Sequence, residues 1–286
     1  MFKRFLLPLL AGLALAAPAC AKPPVWVVRD ADSQIILFGS VHLLPPGLDW
    51  RPEALDAALK SADDLWFEMP LGATESREAA QLWYAKGVLP EGEKLSDKLS
   101  PRGRKRLAEA AERAHLDMQA VDRMRPWLAE VMLSIALLSG EGANGSDGVE
   151  RTIDALAPKS AERRAFETSD QQLLYFAEAP ESEQIASLEN SLKDDQKPGG
   201  FGKLVSAWMA ADLKALSRLG LEPMRKRTPV LYSRLVTERN ARWADQIAER
   251  LAGSGETVMV VGAAHLIGKD GVPAMLRRRG IAVQGP

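Results

Sequence analysis

One eight-residue pattern, apolar-apolar-Gly-x-x-His-Leu-apolar, occurs twice in this chain, and it restricts the fold more than any other feature. Near the N-terminus stands Leu37-Phe-Gly-Ser-Val-His-Leu-Leu44, and near the C-terminus Val260-Val-Gly-Ala-Ala-His-Leu-Ile267. Each opens on an apolar run that reads as the end of a buried strand. Each glycine then lets the backbone turn where a side chain would clash, and the small residues beside it admit a substrate, an ion or a second backbone segment. The chain has three histidines, and two of them, His42 and His265, hold equivalent places in the repeat. Chance placement explains that poorly. A histidine presented at the end of a sheet strand can act as base, acid or metal ligand.

The flanking pattern supplies the sheet. Val25 to Arg29 and Gln34 to Phe38 read as a hairpin around Asp30-Ala-Asp-Ser33. Pro52 to Ala62 has helical periodicity, with Asp49 as its candidate cap, and the strand Leu65 to Met69 follows directly. A right-handed crossover of this kind makes its two strands parallel. His42 then lies just past the carboxyl end of one strand and Glu68 near that of the next, on the edge where open α/β folds bind ligands. The C-terminal quarter repeats the plan. It reads as a long helix from Val230 to Leu251, a loop at Gly253 to Gly255, a strand from Thr257 to Val261, a helix from Val272 to Arg279 and a last strand from Ile281 to Gln284. Between these units, from about Thr74 to Gly220, amphipathic helices dominate, opened by Ser100-Pro101 and Pro126-Trp127 and interrupted by a flexible joint at Gln196 to Gly202. The expected fold class is α/β, a central, mostly parallel sheet built from two pseudo-repeated βαβ units, with a large, mainly helical insertion capping its edge.

With 286 residues, 46% of them hydrophobic, the chain has ample material for a single domain spanning 22–286. Residues 1–21 read as a signal peptide: Lys3 and Arg4, an apolar run from Phe5 to Ala17, then Ala19-Cys-Ala21 before the cut. That run is too short to span ~30 Å of hydrocarbon. A lipid anchor on Cys20 is the lesser alternative, because Ala17 and Pro18 precede it where a lipobox has leucine and a small residue. The expected location is outside the cytoplasm, in the periplasm of a Gram-negative-type bacterium. Cys20 is the only cysteine, so the mature chain has no thiolate chemistry, and a metal would need nitrogen and oxygen ligands. The leader takes two of the 37 basic residues and none of the 38 acidic ones, leaving 35 against 38 and a formal charge of −3. Such a balance gives no reason to expect nucleic acid as a partner. The basic clusters Arg102 to Arg106 and Arg277 to Arg279 read as solvated helix faces, and no membrane span is expected in the mature chain.

Glu68 closes a strand that is apolar on both faces, where a carboxylate is costly unless paired. Arg239, in a helix with Glu238, Asn240, Arg242 and Trp243, precedes His265 by the same 26 residues that separate His42 from Glu68. Beside a carboxylate or an oxyanion its guanidinium would hold the pair in register and stabilise developing negative charge. His115, at the end of the helix Pro101 to Ala114, suits a helix C-terminus rather than a site. Glu150 and Glu167 fall in the insertion, with no route to the site legible in the sequence. No Gly-x-Ser-x-Gly elbow is present.

A series of short motifs in order along the mature chain resembles the TraB/GumN family, related to the Tiki metalloproteases and more distantly to the erythromycin esterase and ChaN-like proteins. They are Phe38-Gly-Ser-Val-His42, Phe67-Glu68, Arg125-Pro-Trp127, Gly148-Val-Glu150, Phe166-Glu-Thr168, Ala207-Trp208 with Asp212-Leu213, Arg239-Asn240 and Val261-Gly-Ala-Ala-His265. The resemblance implies an α/β fold in which the two histidine motifs face each other with a glutamate and an arginine in the centre. Those roles fall on His42, Glu68, Arg239 and His265. The Tiki branch implies metal-dependent peptide hydrolysis, and the esterase branch implies water activation by a histidine with no required metal. The leading expectation is a hydrolase of a peptide or a small amide or ester. In it His42, Glu68 and His265 hold zinc, manganese or cobalt, and Arg239 faces the oxyanion. In the metal-free form, His42 or His265 takes the proton of water and Glu68 fixes its tautomer. The alternative is a binding protein for a metal, haem or small anionic ligand without turnover, and a third reading makes both motifs purely structural.

Overall fold

The computed structural model describes residues 22–73, 76–143, 148–196 and 199–286. The expected signal peptide, with Cys20, lies outside the described residues, as do Thr74 at the expected start of the insertion and residues 197–198 in the expected joint.

Six strands form one sheet among the described residues: β1 (Val25–Arg29), β2 (Ser33–Ser40), β3 (Asp64–Phe67), β4 (Glu162–Ala165), β5 (Gly255–Gly262) and β6 (Val283–Gln284). Their order is β4-β3-β5-β2-β1-β6. β1 and β2 form the expected antiparallel hairpin, with Val25 opposite Phe38. Strands β2, β5, β3 and β4 are parallel, and β6 lies antiparallel to β1 and so runs with them. Both strand–helix–strand units are present, and neither closes on its neighbour. The chain leaves β2, passes through the helix Glu53–Ser61 and returns at β3, with β5 filling the space between. From β5 it passes through the helix Val272–Arg278 to β6, beyond β2 and β1.

Aromatic layers cover both faces of the sheet. Residues in register share a face, so Phe38, Val260 and Phe67 point one way and Leu37, Met259 and Trp66 the other. On the first face Phe38 stacks on Trp50 at 5.6 Å, and Trp208 lies 6.3 Å from Phe38. On the second, Phe166 bridges Trp66 at 5.1 Å and Trp243 at 5.0 Å. Burial on both sides explains why β2, β3 and β5 read as unbroken apolar runs. Each fully buried side chain of this size contributes about 1.5–3 kcal/mol of transfer free energy.

The two copies of the repeat are slipped by one residue. Matching their sequences would put Leu37 beside Val260, yet Leu37 pairs with Met259 and Gly39 with Val261. With a side-chain period of two, that slip turns equivalent positions to opposite faces. The two histidine turns therefore reach the carboxyl edge from different sides.

The insertion is mainly helical, as expected, and also contributes β4, whose Glu-Arg-Arg-Ala sequence lacks the β-branched alternation of a strand and which pairs along the edge of β3. Two local features depart from the sequence expectation. The long C-terminal helix begins at Pro229, widens into a π turn over Ser233–Thr237 and continues as Glu238–Leu251. Such turns re-aim the side chains that follow, here Arg239. The helix Glu53–Ser61 has no side-chain cap, and Asp49 instead pairs with Lys22 at 2.6 Å. His115 does close its helix: it adopts φ 53°, and the Leu116 N–H donates to Ala111 O at 2.9 Å. Among the described residues no helix is long and apolar enough to cross a membrane.

Candidate active site

Backbone pairing past the ends of the strands sets the floor of the site. The Phe166 and Glu167 N–H groups donate to Phe67 O and Glu68 O, both at 3.0 Å, so the edge strand delivers Glu167 beside Glu68. The Gly262 N–H donates to Glu68 Oε1 at 2.7 Å, which ties the carboxylate to the second histidine turn. The first turn is held from the other face, where Trp208 Nε1 donates to Gly39 O at 2.8 Å.

Arg239 sits at the centre with all five of its N–H groups engaged. Nη2 donates to Glu68 Oε2 at 2.6 Å and to Glu167 Oε1; Nε donates to Glu167 Oε2 at 3.2 Å. Nη1 donates to Leu235 O and to His265 Nε2, each at 3.2 Å. The guanidinium lies 4.6 Å from the Trp243 ring centroid and 5.6 Å from that of Tyr175. Gln172 adds an amide N–H to Glu68 Oε2 at 3.1 Å. With every donor used, this arrangement leaves Arg239 none for an oxyanion; it holds two carboxylates and a histidine in register.

The histidines occupy opposite electrostatic environments. His265 is buried, and Asn240, whose amide donates to Asp270 O, accepts the His265 Nδ1–H at 2.6 Å. That contact leaves the lone pair on Nε2, facing Arg239. Burial pushes the ring down to about 3, so it is neutral. His42, by contrast, is 66% exposed at its side chain, and its Nδ1 lies 2.7 Å from Glu150 Oε1. Attraction to Glu150 lifts His42 to about 9. Burial alone would raise Glu68, but Arg239, then His265 and His42, hold it well below the ordinary carboxylate range. Burial raises Glu167 despite the same arginine. One guanidinium thus serves an ionised carboxylate and a more easily protonated one.

The two glycines of the repeat have different reasons to be glycine. A Cβ on Gly39 would stand 2.9 Å from Ala263 Cα, because the two turns cross there. Gly39→Ala is expected to cost about 1–3 kcal/mol of stability through overpacking, measured by chemical denaturation. A Cβ on Gly262 would instead meet side chains of the site, 3.1 Å from Glu68 Oε1, 3.6 Å from His265 Cδ2 and 4.0 Å from His42 Nε2. That point is where three of the four sequence-derived residues converge.

As metal donors the expected set does not fit this arrangement. His265 Nε2 already accepts from Arg239, Glu68 is ion-paired to the same cation, and a divalent ion among them would face that charge. Among the described residues, no group of three His, Cys, Asp or Glu side chains could hold an ion. The tautomer-fixing partners also differ from the sequence expectation: Glu150 holds His42 and Asn240 holds His265, whereas Glu68 bonds Gly262 and Arg239. Glu150 and Glu167 join the site through the start of the helix Val149–Leu156 and the end of β4.

Comparison with known proteins adds relatives of the same extent. Uncharacterized protein YbaP of Escherichia coli (strain K12) is 21% identical over 256 residues, covering 89% of this chain and 92% of its own length. YbaP of Shigella flexneri is 22% identical over the same shares. No solved structure matches. The TraB/PrgY/gumN family model matches residues 24–285, a span that holds both histidine turns, Glu68, Glu150, Glu167 and Arg239, and the chain belongs to that family.

Proposed function

We propose that the protein is an extracytoplasmic hydrolase of peptide, amide or ester bonds that activates water with the His42–Glu150 pair. The observation that carries this reading is the convergence of His42 Nε2, Glu68 Oε1 and His265 around the point over Gly262 that a Cβ would occupy, with the other nitrogen of His42 held by Glu150. Glu150 keeps the Nδ1–H and leaves the Nε2 lone pair facing that point. A water bound there donates one hydrogen to Glu68 Oε1 and loses the other to His42 Nε2. The resulting hydroxide adds to the carbonyl carbon. The His42 imidazolium, stabilised by Glu150, then returns its proton to the leaving nitrogen or oxygen as the bond breaks. Arg239 and His265 fix Glu68 throughout. In this reading residues 1–21 are the export signal and the protein works in the periplasm.

The test is hydrolysis of peptide, amide and ester libraries, with and without a chelator, by the wild-type protein, His42→Ala and Glu150→Gln. Turnover is expected to survive chelation and to fall at least about 100-fold in His42→Ala, the usual scale for a general base. Loss on chelation with rescue by zinc, manganese or cobalt would replace this scheme with a metal at His42, Glu68 and His265. Ligand binding without turnover would favour the binding-protein alternative.

The pH profile carries a separate prediction. Only neutral His42 can accept a proton, so kcat/KM should rise with pH towards a limb near 9 in the wild-type protein. Glu150→Gln removes the largest cause of that elevation, and the limb should move down towards 6.5. The linked stability has the opposite sense. A raised histidine pKa stabilises fully below 6.5 and ceases to do so as pH climbs through 9, so the stability difference between the two proteins should shrink over that interval.

A further inference from the structure

The first histidine turn carries a buried hydroxyl that the hydrolytic scheme leaves unused. Ser40, 3% exposed, closes β2 in register with Gly262, and its Oγ makes no hydrogen bond among the described residues. A buried hydroxyl without a partner has lost its hydration and gained nothing in return, so its presence calls for a reason. Glu150 supplies one. The Val149 N–H donates to Val41 O at 3.4 Å, which seats the start of the helix Val149–Leu156 on the first turn and brings the Glu150 carboxylate to Ser40. There the hydroxyl favours the ionised form of Glu150.

The two copies of the repeat differ at this place. The first reads Gly39-Ser-Val-His42 and the second Gly262-Ala-Ala-His265, so Ala263 stands where the first copy has Ser40. The copy with the hydroxyl is the one whose histidine meets a carboxylate; the copy with the methyl meets the neutral amide of Asn240. His42 is also the histidine with the weaker surroundings. His265 is enclosed by Trp243, Arg239 and Asn240, whereas His42 is largely exposed and Glu150 is the only hydrogen-bond partner of its ring among the described residues. The His42 ring is therefore only as well oriented as the carboxylate that holds it.

We propose that Ser40 is a positioning residue: its hydroxyl donates to Glu150 and fixes the carboxylate on His42 Nδ1, so that Nε2 stays directed at the point over Gly262. The kinetic consequence rests on the hydrolase reading; the effect on the His42 ring does not.

Ser40→Ala tests this, and Ala263 shows that a turn of this kind accepts alanine. On the best substrate of the wild-type protein, kcat should fall about tenfold at unchanged KM, the fold-change of one hydrogen bond to a charged group. In a Glu150→Ala background, with no carboxylate left to position, the same substitution should lower kcat no further. Long-range proton–nitrogen NMR near pH 10, where His42 has lost its extra proton, reads the ring without a substrate. The wild-type ring should carry its proton on Nδ1, and Ser40→Ala should raise the ratio of Nε2–H to Nδ1–H forms about tenfold. The role of Ser40 is overturned if Ser40→Ala leaves either kcat or the tautomer ratio at its wild-type value, or if its loss adds to that of Glu150→Ala. Absence of turnover in the wild-type protein would sink the hydrolase reading alone, and the tautomer ratio would then decide for or against Ser40.

Discussion

Gly262→Ala is expected to eliminate the proposed hydrolysis while leaving the fold in place. The backbone there, at φ −51° and ψ 136°, suits alanine as well as glycine, so the substitution introduces no conformational strain. The contacts of the added methyl, 3.1 Å to Glu68 Oε1 and 4.0 Å to His42 Nε2, put it where the proposed scheme places the attacking water. Displacing that water removes the nucleophile, and kcat/KM should drop by at least about 100-fold. Stability should fall by about 1 kcal/mol, because Glu68 Oε1 has to give by a few tenths of an ångström at the 3.1 Å contact. If Gly262→Ala keeps wild-type turnover, water is not activated over Gly262 and the scheme is wrong. Gly39→Ala is the matched control: the same substitution in the other copy of the repeat should lower stability first.

Arg239→Ala should have the largest effect on stability. Two buried carboxylates share this guanidinium, and His265 directs its lone pair at it. Removing one member of such a cluster leaves uncompensated buried charge and costs about 3–5 kcal/mol, or roughly 10 °C in Tm for a domain of this size. The pH dependence has a definite sign. Glu68 is held below its ordinary value of 4.5, so its pairing stabilises the fold above that pH and is lost as pH falls further. Without Arg239, both Glu68 and Glu167 can relieve their burial by taking up protons. The gap between wild type and Arg239→Ala should therefore be widest near neutrality and narrow below about 4.5, which denaturation at pH 7 and pH 4 measures. Equal stability at pH 7 would show that the cluster holds no net interaction energy.

The doubled histidine phrase made the parallel sheet and the edge where His42 and His265 meet legible, because Gly, His and an apolar run carry local backbone and burial information. Glu68 was legible for a related reason: a lone carboxylate after Leu65-Trp-Phe67 needs a partner. The partner of His42 was not. Glu150 arrives from a helix more than a hundred residues away, and only tertiary folding brings it within reach. Glu167 was hidden because β4 looks like a polar helical segment; its strand conformation comes from pairing with β3, not from its own side chains. The same holds for the order of strands, since hydropathy marks β5 as buried without stating between which neighbours. Arg239 was legible as the partner of a carboxylate, but its contacts with Glu167 and His265, and the hold of Asn240 on His265, were not, since they depend on tertiary packing and on the π turn ahead of these residues.

The position of β5 has a consequence for how the molecule is made. Its neighbours β2 and β3 emerge early in synthesis, but the strand that joins them is among the last to appear. Until it arrives, two apolar strand edges have no mate, the Phe38 and Trp66 layers lack their common support, and Glu68 lacks the Gly262 amide. The joining of the β1–β2 and β3–β4 pairs, and completion of the edge that carries Glu68, thus wait for β5 and are dominated by contacts distant in sequence and correspondingly slow. A chain that stalls before residue 255 is therefore not a smaller version of this protein but an open-edged intermediate suited to capture by a chaperone or by another strand.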